Sequence, residues 1–194
     1  MNTEKDTVCK EPDETIELKA IDQKYDHFDQ VKDLYLYAFP DEERKPMEMI
    51  LQNQKDGKMD LYALEYDGTF AGLAFVINTT PLIILDYLAV VSDFRSHGLG
   101  SKILDRLKTL YPGFVVEIES TRTASPTNQA LRRKQFYLRE DLQDSHVDIA
   151  LFGVPMELLS WPHPVSFDDY RASMDRYFGE SCARWIRTID PEQV

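Results

Sequence analysis

The sequence has little cysteine, no excess of glycine and no long apolar run, and each shortage argues against a class of protein. Only two cysteines occur among 194 residues, Cys9 and Cys182, near opposite ends of the chain, which argues against a disulfide framework. Eight glycines and ten prolines exclude collagen-like and low-complexity chains. No apolar run is long enough to span a bilayer, and the N-terminus carries no apolar signal segment. We therefore expect a cytoplasmic protein without a membrane partner.

Positive charge is scarce as well. Lysine and arginine number 22 against 34 aspartates and glutamates, so the net charge is −12. A chain this acidic cannot take its main affinity from phosphate contacts, and no nucleic acid partner is expected. The four histidines are scattered and no His, Cys and Asp cluster has metal-ligand spacing, so we expect no metal. A length of 194 residues with 43% hydrophobic residues predicts one domain with an elaboration.

Hydrophobic periodicity alternates between strand and helix along the chain. Strands are predicted at 15–20, 61–66, 70–77, 82–91, 114–119, 146–151 and 155–159. Helices are predicted at 22–38, 46–54, from the glycines at 98–100 to residue 111, at 126–139 and from residue 166 onward. Asp67-Gly68 predicts a hairpin between the second and third strands. We expect a mobile segment over 1–13, a domain over 14–160, and a C-terminal helical extension over 161–194.

The pattern Arg95-x-x-Gly98-x-Gly100 stands between a nearly continuous apolar strand and a helix. Glycine lets backbone N–H groups approach a ligand closely, and a helix N-terminus attracts anions, so a pyrophosphate is the natural ligand. The pattern is neither a Walker A loop nor the dinucleotide fingerprint with three glycines. Taken alone, it is also compatible with an ordinary turn between a strand and a helix.

Three further features surround this loop. They are Leu88-Ala89-Val90 directly before Arg95-Ser96-His97-Gly98-Leu99-Gly100, a second strand at 115–119, and Asn128-x-Ala130 ahead of Phe136-Tyr137. Together they resemble the GNAT superfamily of acetyl-CoA-dependent N-acetyltransferases, whose Arg/Gln-x-x-Gly-x-Gly/Ala motif is matched at every fixed position, and in particular its bacterial members that act on small molecules. The resemblance covers about 15–159. It implies an α/β fold in which helices flank a mixed, twisted sheet of six or seven strands, with acetyl-CoA as co-substrate.

The resemblance also implies which residues bind this co-substrate. The backbone of Leu88, Ala89 and Val90 would pair with the pantetheine arm. The pyrophosphate would be surrounded by Arg95, Ser96, His97, Gly98, Leu99, Gly100 and Ser101. Asn128 would contact the pantetheine or the thioester, with a role in the first turn of its helix as the alternative.

Three further features lie on or directly after the predicted helix 126–139. By resemblance, Tyr137 would protonate the departing thiolate of coenzyme A, with core packing beside Phe136 as the alternative. Asp141 stands where the family has glycine, so we expect it to adopt a backbone conformation that glycine takes more easily. The basic run 132–134 is expected to face solvent, with contact to the 3′-phosphate of coenzyme A as the alternative.

The general base is less determined. An attacking amine must lose a proton, which a carboxylate can accept directly or through water. Glu117 and Glu119 share one face of the predicted strand 114–119, and Asp86 lies on the strand before the loop. We favour Glu119 and Glu117 over Asp86, and the absence of a dedicated base also stays open.

These features predict acetyl transfer from acetyl-CoA to a primary amine by direct attack in a ternary complex. The net charge and the acidic residues 41–43 suggest a small cationic amine as the acceptor. Two alternatives stay open: an acyl-CoA-binding regulatory module without turnover, and an acetyltransferase of a protein amine. The aromatic stripe at 170–178 suits docking onto the core or a dimer contact, so both a monomer and a homodimer stay open.

Overall fold

The computed structural model describes residues 15–95, 97–123, 125–179 and 184–190, which form one sheet flanked by helices. The strands are β1 Ile16–Ala20, β2 Met59–Tyr66, β3 Thr69–Asn78, β4 Ile83–Val90, β5 Phe114–Glu119, β6 Gln143–Leu151, β7 Val154–Trp161 and β8 Ile186–Thr188. The helices are α1 Phe28–Ala38, α2 Met47–Lys55, α3 Leu99–Leu110, α4 Asn128–Arg139 and α5 Phe167–Phe178. The spatial order of the strands is β1-β2-β3-β4-β5-β7-β6-β8. The predicted mixed α/β class is confirmed.

Two elements differ from their prediction. The sheet has eight described strands rather than six or seven, because β8 pairs antiparallel with the end of β6. This strand has three residues, too few for an alternating pattern. Helix α1 begins at Phe28 rather than near residue 22, because the Asp22 carboxylate accepts a hydrogen bond from the Lys24 amide at 2.7 Å and holds a turn there.

The hairpin between β2 and β3 forms as predicted. Its two turn residues, Asp67 and Gly68, have φ angles of 48° and 74°. Left-handed conformations at both positions define the turn whose twist matches that of antiparallel strands. Asp and Gly adopt these conformations at low cost, which is why this dipeptide marks the hairpin in the sequence.

Strand β4 lies in the middle of the sheet and is covered on both faces. Ile84 and Tyr87 pack in one core cluster with residues of α1, α2 and α5, whereas Leu85 packs in a second cluster with residues of α3. A strand covered on both faces needs apolar residues at successive positions, which explains its nearly continuous apolar run.

Helix α5 packs onto this domain through the aromatic stripe. Its N-cap Ser166 accepts a hydrogen bond from the Asp169 amide at 3.1 Å, as expected of a capping pair. Tyr170, Met174 and Tyr177 are buried in the same core cluster as Ile84. The stripe therefore docks onto the core. The expected mobile segment 1–13 lies outside the described residues.

No helix in the described part of the chain combines the length and the apolar character that a membrane-spanning segment requires.

Candidate active site

Strands β4 and β5 run parallel but are paired only near their beginnings. The two pairs in their register are Ile84 with Val115 and Leu85 with Val116. Beyond them, β4 stays paired with β3 as far as Val90, and β5 stays paired with β7 as far as Glu119. Within the described ranges, the edge of β4 that faces β5 therefore has no strand partner after Leu85. The resemblance placed the pantetheine arm along this edge.

A β-bulge lies where the strands separate. The register between β3 and β4 shifts, because Phe75 pairs with Tyr87 while Val76 pairs with Leu85. Asp86 is thus the extra residue of β4. A bulge bends its strand and increases the local twist, and it often redirects a side chain beside an active site. Here the bulged residue is an acid at the entrance to the gap.

The loop after β4 leads into the N-terminus of α3. Gly98 directly precedes this helix with a φ angle of 71°, in the left-handed region that favours glycine. The Lys102 amide donates to the Gly98 carbonyl at 3.1 Å. The amides of Leu99, Gly100 and Ser101 therefore lie in the first turn, where backbone N–H groups have no acceptor within the helix. Three such amides with the positive end of the helix dipole make an anion site.

The side chains of this loop have their own contacts. Arg95 is exposed, and its Nε donates to the Val90 carbonyl at 3.3 Å. His97 is exposed, with Nδ1 3.0 Å from the Arg95 carbonyl oxygen. The Ser101 hydroxyl donates to Glu140 at 2.6 Å, so that side chain is engaged within the protein. Ser96, also expected at the pyrophosphate, lies outside the described residues.

The fold itself accounts for three of the residues expected at the co-substrate: Leu99, Gly100 and Asn128. Leu99 is buried in the core. A Cβ on Gly100 would lie 3.2 Å from the Phe136 ring, so glycine allows α3 and α4 to approach closely. Asn128 is the exposed first residue of α4, whose N-cap is Thr127. The structure thus puts Asn128 in the first turn, and its contact with the co-substrate stays a prediction.

A cavity of about 640 Å³ opens at the gap between β4 and β5. It is lined by Phe39, Glu43, Arg44, Lys45, Pro46, Met49, Leu85, Asp86, Tyr87, Leu88, Glu117, Arg133, Tyr137, Leu151, Phe152, Gly153, Val154, Met156, Met174 and Phe178. Three of the candidates for proton transfer, Glu117, Tyr137 and Asp86, therefore meet at one cavity. Glu119 is not among the lining residues, and its carboxylate accepts a hydrogen bond from Thr127 at 3.2 Å.

Glu117 is half-buried and has an unusual proton affinity. Burial and the nearby Asp86 carboxylate raise its pKa to about 7, although Lys45 and a hydrogen bond from Tyr170 oppose this shift. The Tyr170 hydroxyl donates to Glu117 Oε1 at 2.5 Å. A carboxylate that titrates near neutral pH exists partly as the free base and can still take a proton, as a general base requires.

Asp86 is held in a buried ion pair. Lys45 Nζ lies 2.7 Å and 2.9 Å from its two carboxylate oxygens, and the Asp86 side chain is only 3% exposed. The Lys45 ammonium also lies 5.2–5.7 Å from the ring centres of Tyr87, Tyr177 and Phe178. Burial, the largest single effect, lowers the pKa of Lys45, but the charges of Asp86, Tyr177 and Glu117 and the hydrogen bond to Asp86 together raise this pKa overall. Asp86 is therefore committed to Lys45.

Tyr137 lies near the C-terminal end of α4, where its side chain is buried at the cavity. Burial raises the pKa of its phenol to about 12, although the charge of Arg133 opposes this shift. The phenol is therefore protonated at neutral pH and can donate. Asp141, which follows α4, has a φ angle of 63°, the glycine-like conformation expected from the sequence.

The family model of the GNAT acetyltransferases matches residues 27–137, which is more than half of the chain. The chain belongs to the GNAT acetyltransferase family. The superfamily inferred from the Arg95–Gly100 loop is thus confirmed. No curated protein sequence matches the chain.

Solved GNAT structures share the fold of this chain. A GNAT-family protein from Bacteroides thetaiotaomicron is 18% identical, with a TM-score of 0.71 over 86% of this chain and 98% of that one. An aminoglycoside 6′-N-acetyltransferase complexed with coenzyme A is 15% identical, with a TM-score of 0.60 over 76% and 99%. Naa50 from Arabidopsis thaliana, in complex with the bisubstrate analogue CoA-Ac-MVNAL, is 13% identical, with a TM-score of 0.59 over 76% and 99%. Identities this low show the fold alone.

Sequence reasoning missed two polar residues of this GNAT site and misplaced a third. Lys45 lies in a charged connection, and no pattern marks it as the partner of a strand residue. Tyr170 belongs to an apolar stripe that predicts its burial but not the partner of its hydroxyl. Arg133 was expected to face solvent, yet it lines the cavity. Among the described residues, no group of three or more His, Cys, Asp or Glu could hold a metal ion.

The hydrogen bond from Tyr170 gives a prediction about Glu117. This bond favours the charged carboxylate, so Tyr170→Phe should raise the pKa of Glu117 above its wild-type value near 7. Carbon-13 NMR titration of the Glu117 carboxyl carbon measures this pKa. Tyr62→Phe is the matched control, because Tyr62 bonds to Tyr111 in the other core cluster and should leave the titration unchanged. A Glu117 pKa that falls or stays constant in Tyr170→Phe would refute the role of this bond.

Proposed function

We propose that this GNAT domain transfers the acetyl group of acetyl-CoA to a primary amine by direct attack within a ternary complex. Family membership supports acetyl transfer in general. The observation that carries the finer proposal is that Glu117, which titrates near neutral pH, and Tyr137, which stays protonated, open onto one cavity beside the unpaired edge of β4. A proton acceptor and a proton donor are the two groups that amine acetylation needs.

The residues around the gap suit acetyl-CoA. The backbone of Leu88, Ala89 and Val90 along the unpaired edge of β4 would hold the pantetheine arm, and the first amides of α3 would hold the pyrophosphate. Arg95 and Asn128 are exposed side chains that would contact the same molecule. Related structures support this assignment, since one contains coenzyme A and another a bisubstrate analogue of it. Acetyl-CoA would supply the activated thioester carbonyl.

The two cavity residues would then act on opposite sides of the reacting carbon. The amine nitrogen bonds to the acetyl carbon, and Glu117 accepts the proton that the nitrogen loses, directly or through a water molecule. Tyr137 donates a proton to the sulfur as the bond between carbon and sulfur breaks. We assign the base to Glu117 rather than Glu119 because only Glu117 lines the cavity. Direct transfer requires no covalent enzyme intermediate.

The assignment of the base predicts a pH dependence. Since the base form of Glu117 increases as pH rises through about 7, kcat/KM of the wild-type protein should rise over that range and then level off. Glu117→Gln should lower kcat by about 10²–10⁴-fold and remove this rise. Amine-dependent release of free thiol, followed against pH, measures both.

Glu119→Gln is the matched control for this variant. It changes the same type of residue two positions along β5, outside the cavity lining, and should keep both the rate and the pH profile. A larger loss in Glu119→Gln than in Glu117→Gln would transfer the role of base to Glu119. Binding of acetyl-CoA without thiol release for any amine would favour the regulatory module.

The role of Tyr137 gives a second prediction. Tyr137→Phe keeps the buried ring but removes the proton donor, so kcat should fall by about 10²-fold or more while KM for acetyl-CoA stays nearly constant. Steady-state thiol release measures both constants, and thermal unfolding checks that the variant remains folded. An unchanged kcat and pH profile would leave Tyr137 with a packing role alone.

A further inference from the structure

We propose that the acceptor is a primary amine on an uncharged apolar body, with one positive charge in total, rather than a polyamine or an amino acid. This inference rests on the proposed function, because it concerns the acceptor side of the same cavity. Its grounds are the apolar wall of that cavity, a strained phenylalanine at its mouth and the balance of its charges.

The wall of the cavity is mostly apolar. Large apolar side chains reach it from α2, α5, the segment before α2 and the two strands of the β6–β7 hairpin. They are Phe39, Met49, Leu151, Phe152, Val154, Met156, Met174 and Phe178. Such a wall binds an apolar ligand by removing its surface from water. A second charged group on the ligand would lose its hydration against this wall.

The mouth of the cavity exposes three of these side chains. Phe152 is 52% exposed, Met49 is 40% exposed and Val154 is 38% exposed. Met49 comes from α2, whereas Phe152 lies in the β6–β7 turn and Val154 begins β7, far from α2 in the sequence. Exposed apolar side chains that also line a cavity favour a ligand with an apolar body there.

Phe152 takes this place at a conformational cost. The β6–β7 turn has φ angles of 50° at Phe152 and 93° at Gly153, so both residues are left-handed. The β2–β3 turn of this chain has the same pattern and uses Asp67-Gly68, the residues that tolerate it best. A bulky residue at such a position is strained, and strain of this kind concentrates at functional sites. The Phe152 ring packs edge-on against Phe178, with ring centres 5.5 Å apart.

Among the side chains that the structure describes, the charged groups of the cavity lining cancel. Three acids, Glu43, Asp86 and Glu117, are matched by three bases, Arg44, Lys45 and Arg133. Asp86 is engaged by Lys45, and Glu117 is the proposed base. The net charge of −12 is therefore not concentrated in the described lining, which has no surplus of carboxylates for a second ammonium group. Within the class of small cationic amines that the overall charge suggests, a singly charged amine therefore suits the described lining better than a multiply charged one.

Three amines of equal chain length test the inference: hexylamine, 1,6-diaminohexane and 6-aminohexanoate. They end in a methyl, an ammonium and a carboxylate group respectively. We expect kcat/KM for hexylamine to exceed that for each charged amine by about 10-fold or more, because burying an unpaired charge is costly. A charged amine that reacts as well as hexylamine would overturn the inference. A C-terminally amidated peptide with N-terminal leucine, measured alongside, carries the same single charge on a polar backbone, and a preference for this peptide over hexylamine would overturn the inference.

Calorimetric binding of the same three amines to the protein saturated with coenzyme A separates this inference from the proposed function. If hexylamine binds about 10-fold more tightly but is not acetylated, the preference of the cavity for an apolar amine holds and the proposed function fails. If 1,6-diaminohexane is acetylated preferentially, the proposed function holds and the inference fails. If hexylamine does not bind more tightly than the charged amines, the inference fails as well.

Phe152→Asp tests the wall directly, and aspartate tolerates the left-handed conformation of this turn. It should lower kcat/KM for hexylamine by about 10-fold and reduce the preference over 1,6-diaminohexane. Tyr37→Asp is the matched control, since Tyr37 is an aromatic residue of α1 that is 77% exposed and does not line the cavity. Unchanged selectivity in Phe152→Asp would contradict the role of Phe152.

Discussion

The separation of β4 from β5 is the constraint on which the candidate site depends. Two parallel pairs hold the strands together at Ile84 and Leu85, and the bulge at Asp86 marks the point where they part. The parting leaves the backbone of β4 unpaired towards the gap and places a carboxylate at its entrance. A buried carboxylate is costly, and Lys45 offsets this cost with a close ion pair under three aromatic rings. The gap and this pair therefore form one structural unit.

Burial raises the pKa of two groups that line the cavity and leaves them in different protonation states at neutral pH. It raises the pKa of Glu117 to about 7, where a carboxylate can exchange a proton, and that of Tyr137 to about 12, where a phenol keeps its proton. Most of the large apolar side chains in the cavity wall lie outside the region matched by the family model, which ends at residue 137. Phe152 and Phe178 both follow that residue. Family membership thus indicates the reaction, while the acceptor must be inferred from this chain itself.

Local features of the fold could be predicted from the sequence, because their causes are local. The Asp67-Gly68 turn, the apolar strand β4 and the glycines before α3 each carry their own pattern. From the sequence we favour Glu119 ahead of Glu117, but no local pattern distinguishes the two, because both lie on one face of β5. They differ in what packs against them, and the partner of Glu117 is Tyr170, 53 residues away in the chain. The Lys45–Asp86 ion pair joins residues 41 positions apart, so no local sequence pattern predicts it either.

The account rests on the claim that acyl-CoA binds along β4 and at the N-terminus of α3. Calorimetric titration of coenzyme A into wild type, Gly98→Val and Gly57→Val tests this claim most directly. Both glycines are left-handed, with φ angles of 71° and 69°, and neither has a close neighbour at its Cβ position, so the two substitutions impose similar backbone strain. The account predicts at least about 10-fold weaker binding in Gly98→Val and wild-type affinity in Gly57→Val, because only Gly98 belongs to the anion site. Wild-type affinity in Gly98→Val would contradict it.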